Sequence, residues 1–405
     1  MLSVEEALSR ILQHVPRNGT ERVPLEAAIG RVLAEDVISA HALPPWPASA
    51  MDGFAVRAAD LPGVLSVGET IAAGGVPTRA VVAGTCARIM TGAPIPDGAD
   101  AVVMVEDTRT DGDQVHIGVA ARVGQHVRAR GSEVSIDAVV VPRGQVLASG
   151  ALGACAAVGI PHVRVAMRPR VAVLSTGDEI VDPGHPLGPG QIHSSNNAAI
   201  AALVVEAGGT AVDLGIVRDD PAAMTAAYRE ALRCDVVLST GGVSVGDYDH
   251  VKGMLGALGL TMDFWRVAMK PGKPLAFGVL DGRPVFGLPG NPVSCMVNFL
   301  QFVRPVLRTM LGDPRPFLPV LRAKVVTPRR RSLGRPEFVR VRLWREGGQL
   351  YADVAGHQGS AGVLSMATAH GFAMVAPDAT EVAGELAVQI FDESFERGAE
   401  PGYSW

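Results

Sequence analysis

The sequence predicts a multidomain α/β protein. A three-layer α/β domain is joined to an elongated α+β domain that carries a β-rich insert, and a C-terminal β-barrel follows. Three observations carry this reading. Between residues 168 and 315, apolar strand-type runs alternate with helix-type runs, the pattern of a largely parallel sheet covered on both faces. Between 52 and 132, and again from 316 to 405, short β-type runs alternate with Gly and Pro turns. Residues 1–51 and 133–167 instead show mixed, partly helical texture, so the β-rich stretch interrupts one discontinuous domain.

In chain order, MLSVEEALSRILQHV is an amphipathic helix. Ser3 and Glu6 have capping-box spacing, and Val4, Ala7, Leu8, Ile11, Leu12 and Val15 recur at helical intervals. Acids stand where a secretory leader carries bases. The proline-rich ALPPWPASA cannot continue a helix. AVVMVE, QVHIGV and HVRAR are strands of the insert, and LASGALGACAAVGI is a helix ended at Gly159. In the α/β domain, RVAVLST, AVDLGIV and DVVLST are buried strands. NNAAIAALVVEAGG and DDPAAMTAAYREALR are helices, the second with Asp220 at the N-cap and Pro221 at N1. PLAFGVL and PVFGL follow as strands, then a long helix opened by Asn291-Pro292. LRAKVV, EFVRVRLW, QLYADV and LAVQIF are strands of the barrel.

Bulk properties exclude several classes. A formal charge of −5 over 405 residues argues against nonspecific nucleic-acid binding, and the single basic run, Arg329 to Arg331, is expected to be a solvated loop. The four cysteines share no C-x-x-C spacing and sit in apolar contexts, so buried free thiols in a reducing compartment are expected rather than a zinc site. No apolar run reaches membrane-spanning length. A cytoplasmic protein without membrane partners is expected.

The chemistry concentrates at strand ends. LSTGGVSVGDYDHVK, residues 238–252, runs from a strand through a glycine turn, where Gly241, Gly242 and Ser244 could cradle an anion. Yet the same turn carries Asp247 and Asp249. LSTGDEI places Asp178 and Glu179 past a second strand, and VRDD places Asp219 and Asp220 past a third. Asp220 is taken up as a helix cap, which leaves Asp219 as a site candidate. Parallel strands send these acids to one rim, where ligands of such sheets bind. Carboxylates so gathered need a cation, and oxygen donors with substrate phosphates suit Mg²⁺. Positive charge comes from Arg266, Lys270 and Lys273 in FWRVAMKPGKPLAFG, a loop stiffened by proline. GLPGNPVS, with Pro289 and Pro292, is a further turn feeding a helix. SAMDGFA and RIMTGAPIPDGADAVVM add Asp52 and Thr91, each at a glycine turn.

Taken in order, SAMDGFA, RIMTGAPIPDGADAVVM, LSTGDEI, STGGVSVGDYD, MKPGKPLAFG and GLPGNPVS resemble the molybdopterin molybdenumtransferases, the bacterial MoeA group, which is similar to the E domain of gephyrin. The resemblance runs nearly end to end. It implies molybdenum insertion into adenylylated molybdopterin from molybdate, with Mg²⁺-dependent cleavage of the adenylate and release of AMP. It implies a homodimer whose cleft lies between the α/β domain of one subunit and the β-rich insert of its partner. A molybdopterin adenylyltransferase would act upstream, and molybdoenzymes or cofactor carriers downstream. By the same resemblance, Asp52, Thr91, Asp249, Lys270 and Lys273 are catalytic candidates, and Glu179, Asp219 and Asp249 are metal candidates. Pro289, Pro292, Arg340 in EFVRVRL and Ser360 in HQGSAG join the turn residues as binding candidates. Two positions depart from the family pattern. RGSEV places Glu133 where relatives carry Asp, and Arg266 stands where well-known relatives carry Lys. Two other functions fit parts of the pattern: a non-catalytic scaffold of the gephyrin E type, and the adenylyltransferase that precedes insertion. The latter family lacks the insert and the barrel. Tungstate, close to molybdate in size and charge, is an alternative oxyanion.

Overall fold

The computed structural model describes residues 1–241, 256 and 259–397. They form two compact units, one of residues 1–21 with those from 166 onward, the other of residues 22–165.

The first unit is built on a six-stranded sheet. Its strands are β1 (Arg170–Thr176), β2 (Thr210–Val217), β3 (Val236–Thr240), β4 (Thr261–Trp265), β5 (Ala276–Leu280) and β6 (Arg283–Leu288). The spatial order is β2-β1-β3-β6-β5-β4. The first four in that order are parallel, and β5 runs antiparallel to both its neighbours. The continuous apolar run of β1 follows from burial on both faces. Val171 and Val173 join one core with Ile200, Phe277 and Phe286, whereas Ala172 and Leu174 join another with Met224 and Tyr228. Helix Asn196–Glu206 covers the first face and Pro221–Ala231 the second. The Asp220 cap forms as expected, its carboxylate accepting from the Ala223 N–H at 2.8 Å. The long helix after Asn291 runs through Pro292–Asn298, a π-helical turn Phe299–Val303 and Arg304–Met310.

Helix Val4–Leu12 carries the expected capping box. Its placement differs from the expected grouping with residues up to 51. Ala7 and Ile11, fully buried, pack into the core of the six-stranded sheet, because that core offers the apolar face this helix must cover.

A closed five-stranded barrel follows, in the order Val320–Val325, Gln349–Val354, Glu337–Glu346, Gly371–Val375, Glu385–Ile390. Gly371–Val375 was not anticipated; its GFAMV run lacks the alternation that marks a half-exposed strand. The basic run is also not a solvated loop. Arg329–Arg330 is a short strand paired with Glu381–Val382, and the Arg331 side chain is 1% exposed because it reaches a buried carboxylate.

In the second unit, a six-stranded sheet has the order Ala101–Met104, Gly53–Val56, Thr85–Ile89, Gly63–Ile71, Gln114–Ile117, Thr108–Asp111, all inside the expected insert. Helix Ser149–Ala157 and short strand pairs make up the remainder. All four cysteines are buried and unbridged, as expected. Among the described residues, no helix is long and apolar enough to cross a membrane.

Candidate active site

Strands β1, β2 and β3 are parallel neighbours, so their carboxyl ends share one edge. Beneath that edge lies a buried polar network. Ser175 Oγ donates to Asn197 Oδ1 and lies 2.7 Å from Thr240 Oγ1. Asn197 Nδ2 donates to Asp213 Oδ1 at 2.8 Å and to Gly215 O at 3.2 Å. These side chains lock the strand ends to the first turn of helix Asn196–Glu206.

Above the network opens a cavity of about 450 Å³, whose lining includes Thr176, Glu179, Ser194, Asn196, Gly241 and Pro292. Gly241 has φ +89, and a β-carbon there would run into the Thr176 carbonyl, so the turn requires glycine. The Glu179 carboxylate lies over Gly177, where a β-carbon would meet it at 2.6 Å. Three buried oxygens at this cavity, Thr176 Oγ1, Ser194 Oγ and Asn196 Oδ1, have no hydrogen-bond partner among the described residues. Asn196 is held in place by its own Nδ2, which donates to Gly290 O at 2.8 Å. An unsatisfied buried group costs about 1–3 kcal/mol, and three such oxygens at one concave surface form a set that a polar ligand can satisfy.

The expected site residues fall into several groups. Glu179 and Gly241 meet at the cavity, with Pro292 as the first residue of the helix that bounds it. Pro289 is buried just before Gly290. Gly242, Ser244, Asp247 and Asp249 lie outside the described residues. The Asp219 N–H points to Asp178 Oδ1 at 3.5 Å, beside a neighbouring hollow lined by Asp178, His185 and Arg218 rather than on the Glu179 cavity. No three His, Cys, Asp or Glu side chains among the described residues gather closely enough to hold a metal ion.

The loop 266–274 is tied down at several points. The Arg266 guanidinium stacks on the Trp265 ring at 4.1 Å, a contact that exploits its planar shape. Lys273 accepts the Val267 N–H at its carbonyl, and buried Asn298 donates to the Gly272 and Pro274 carbonyls. Lys270 Nζ is 3.2 Å from Glu337 Oε1. The Arg340 side chain is fully buried; it donates to the His357 and Gly359 carbonyls and to Ser365 Oγ. It therefore fixes the 357–362 loop, whose Ser360 carbonyl accepts the Val293 N–H at 3.0 Å and whose Ala361 lines the cavity. Burial, with the charge of Arg329, pushes the Arg340 guanidinium down to about 10.

Asp52 and Thr91 belong to the second unit and meet there. Asp52 Oδ1 accepts the Thr91 N–H at 2.7 Å and its hydroxyl at 2.8 Å. The Thr91 backbone bond first, then its hydroxyl, and more distantly Arg88, hold the Asp52 carboxyl below its usual 3.8. Glu133 is exposed in the same unit, its N–H donating to Leu43 O.

The sequence reading missed Thr176, Ser194 and Asn196. The available signal was the hydroxyl ending a strand and the pair of asparagines opening a helix.

A profile described as the MoeA N-terminal region (domain I and II) matches residues 2–159. A probable molybdopterin binding domain matches 172–309, and the MoeA C-terminal region (domain IV) matches 322–388. The chain is 39% identical over 389 residues to molybdopterin molybdenumtransferase 2 of Mycobacterium tuberculosis, covering 91% of this chain and 94% of that protein. It is 37% identical over 367 residues to the molybdopterin molybdenumtransferase of Haemophilus influenzae, covering 89% and 91%. The crystal structure of a molybdopterin biosynthesis MoeA protein from Pyrococcus horikosii superposes with a TM-score of 0.84 at 33% identity, covering 96% of this chain and 99% of that one.

Proposed function

The chain belongs to the MoeA family of molybdopterin molybdenumtransferases, which act in molybdenum cofactor biosynthesis, and from that premise we propose that the cavity at its strand ends takes adenylylated molybdopterin. Molybdate would supply the metal, and AMP would leave. The observation that carries this reading is the trio of buried oxygens on Thr176, Ser194 and Asn196, without a hydrogen-bond partner among the described residues, around one cavity at the strand ends. Hydroxyl and amide oxygens suit the polar rim of a pterin or nucleotide, and the pair of Thr-Gly turns leaves room for its phosphates.

The donor set fits Mg²⁺ in one specific way. Glu179 lines the cavity together with two hydroxyls that have no hydrogen-bond partner among the described residues, and Mg²⁺ commonly takes one or two carboxylates with waters and substrate phosphates. Glu179 would hold it, with Asp249 as the other candidate, since Asp219 lies by the neighbouring hollow. When bound, the ion would withdraw charge from the phosphate oxygens. The remaining work falls to the chain's own residues. Lys270, Lys273 and Arg266 bind oxyanions, phosphate or molybdate. A water oxygen attacks the adenylate phosphorus, the bond from that phosphorus to the bridging oxygen breaks, that oxygen leaves on the molybdopterin phosphate, the proton of the water is released to solvent, and AMP departs carrying the new oxygen. Asp52 is ionised at neutral pH, so it accepts a hydrogen bond and orients that nucleophile rather than donating a proton. In this reading Asp52 and Thr91 come from the partner subunit of a homodimer. An adenylyltransferase supplies the substrate, and molybdoenzymes or carriers receive the product.

The test is AMP release from adenylylated molybdopterin with Mg²⁺, with and without molybdate. Molybdate should be required, and Asn196→Ala should lower kcat/KM about tenfold to a hundredfold, as expected for one lost buried hydrogen bond. AMP release independent of molybdate, or an unaffected Asn196→Ala, overturns the reading. Undiminished turnover by Asp249→Ala removes Asp249 from the metal role.

A further inference from the structure

Glu337 opens the second strand of the barrel, and its side chain is 3% exposed. Among the described residues, three cations face it. Lys270 Nζ lies 3.2 Å from Oε1, Arg329 Nη1 3.8 Å from Oε1, and Arg331 Nε 3.1 Å from Oε2. The main chain is joined at the same place. The Lys270 N–H donates to Pro336 O at 2.9 Å, and the Phe338 N–H donates to Lys270 O at 2.8 Å. One residue earlier, Arg335 Nη1 donates to Met269 O at 2.9 Å. Lys270 is thus gripped at its backbone and its ammonium by one short stretch of the barrel.

The three cations are not equivalent. Arg331 is 1% exposed, and its terminal nitrogens donate to Ala376 O and Arg335 O, so its guanidinium is committed to the fold. Arg331 alone would neutralise a structural carboxylate. The side chains of Lys270 and Arg329 are 44% and 35% exposed. A free lysine carries about 2 kcal/mol of side-chain entropy, which a ligand must otherwise remove on binding. One carboxylate set against three cations also leaves the cluster net positive on the side where Lys270 and Arg329 remain open.

We infer that Glu337 is a positioning residue: it holds the Lys270 ammonium in place to receive an oxyanion, with Arg329 as the second open cation of the same pole. This rests on the reading of Lys270 as an oxyanion-binding group in molybdenum insertion.

A double-mutant cycle tests it on the full-length protein. Glu337→Gln keeps the shape and removes the charge. It should raise the KM for molybdate about tenfold while kcat changes less than twofold. Lys270→Ala should raise that KM at least as much, and Glu337→Gln in the Lys270→Ala background should add nothing, because it acts only through the lysine. An unchanged KM, or single effects that multiply in the double variant, overturns the inference and leaves Glu337 a structural residue. Glu337→Asp keeps the charge on a shorter arm, should give an intermediate KM, and serves if the Gln variant does not fold. If the wild type releases no AMP in response to molybdate, the proposed function fails. Calorimetric binding of molybdate to the same variants then reads the positioning claim separately: non-additive loss of affinity supports it and additive loss rejects it.

Discussion

Asp52 shows how a short local arrangement sets chemistry. It is exposed, yet two donors of one threonine converge on a single carboxylate oxygen. Hydrogen bonds to the charged form favour it, which is why the carboxyl sits below 3.8. The sign follows. A lowered folded-state pKa means that the Asp52–Thr91 contact is fully present above the ordinary carboxylate range and is lost as pH falls through the lowered value. Thr91→Val removes the hydroxyl but keeps the backbone N–H, the larger of the two causes. An NMR titration of the Asp52 carboxyl should therefore move only part of the way back toward 3.8 in this variant. A complete return would show that the hydroxyl, not the main chain, sets the charge. The MDG and MTG turns were legible in the sequence as separate glycine turns. Their meeting was not, because it depends on the pairing of strand Gly53–Val56 with Thr85–Ile89.

At the level of elements, the alternation of strands and helices was legible because it is written in local periods: the uninterrupted apolar run of β1, the Asp220-Pro221 helix start, the Ser3/Glu6 box. The polar floor of the site was not. Asn196 and Asn197 have the composition of a helix cap, but neither caps: Asn197 bridges polar groups of β1 and β2, and Asn196 lines the cavity. Only the parallel register of β1 with β2 and β3 brings Ser175, Asp213 and Thr240 within reach. Asn197→Leu, similar in volume, would cost Ser175 one buried partner while leaving it Thr240, and exposed Asp213 would keep the Gly215 N–H. One buried hydrogen bond so lost predicts a loss of about 1–2 kcal/mol in urea unfolding. A loss below about 0.5 kcal/mol would mean that the network is not holding the strand ends.

The whole molecule is two units threaded by one chain. The apolar clusters around Val163, Phe54 and Ile89 draw on residues 23–165 alone. Those around Phe286, Val388 and Tyr228 draw on the rest. Composition shifts revealed the β-rich stretch but could not assign the first helix, because an amphipathic face states that it must be covered and not by what. The Arg329–Arg331 run was misread for the same reason, its partner Glu337 belonging to a fold of the chain rather than a spacing. Within each unit the chain enters and leaves at one place. The Met167 N–H donates to Gly19 O at 2.8 Å in the first, and the Leu25 N–H donates to Pro161 O at 3.2 Å in the second. Ends that lie together are the condition under which an insertion can be cut out without strain. Residues 22–165 expressed alone should therefore unfold in a single cooperative transition. A chain in which a short glycine linker replaces them should keep the cooperative unfolding of the sheet and barrel while losing AMP release, since Asp52 and Thr91 go with the excised part. Circular dichroism across a urea series checks both, and a gradual, non-cooperative loss of signal in either piece would show that the two cores need each other to form.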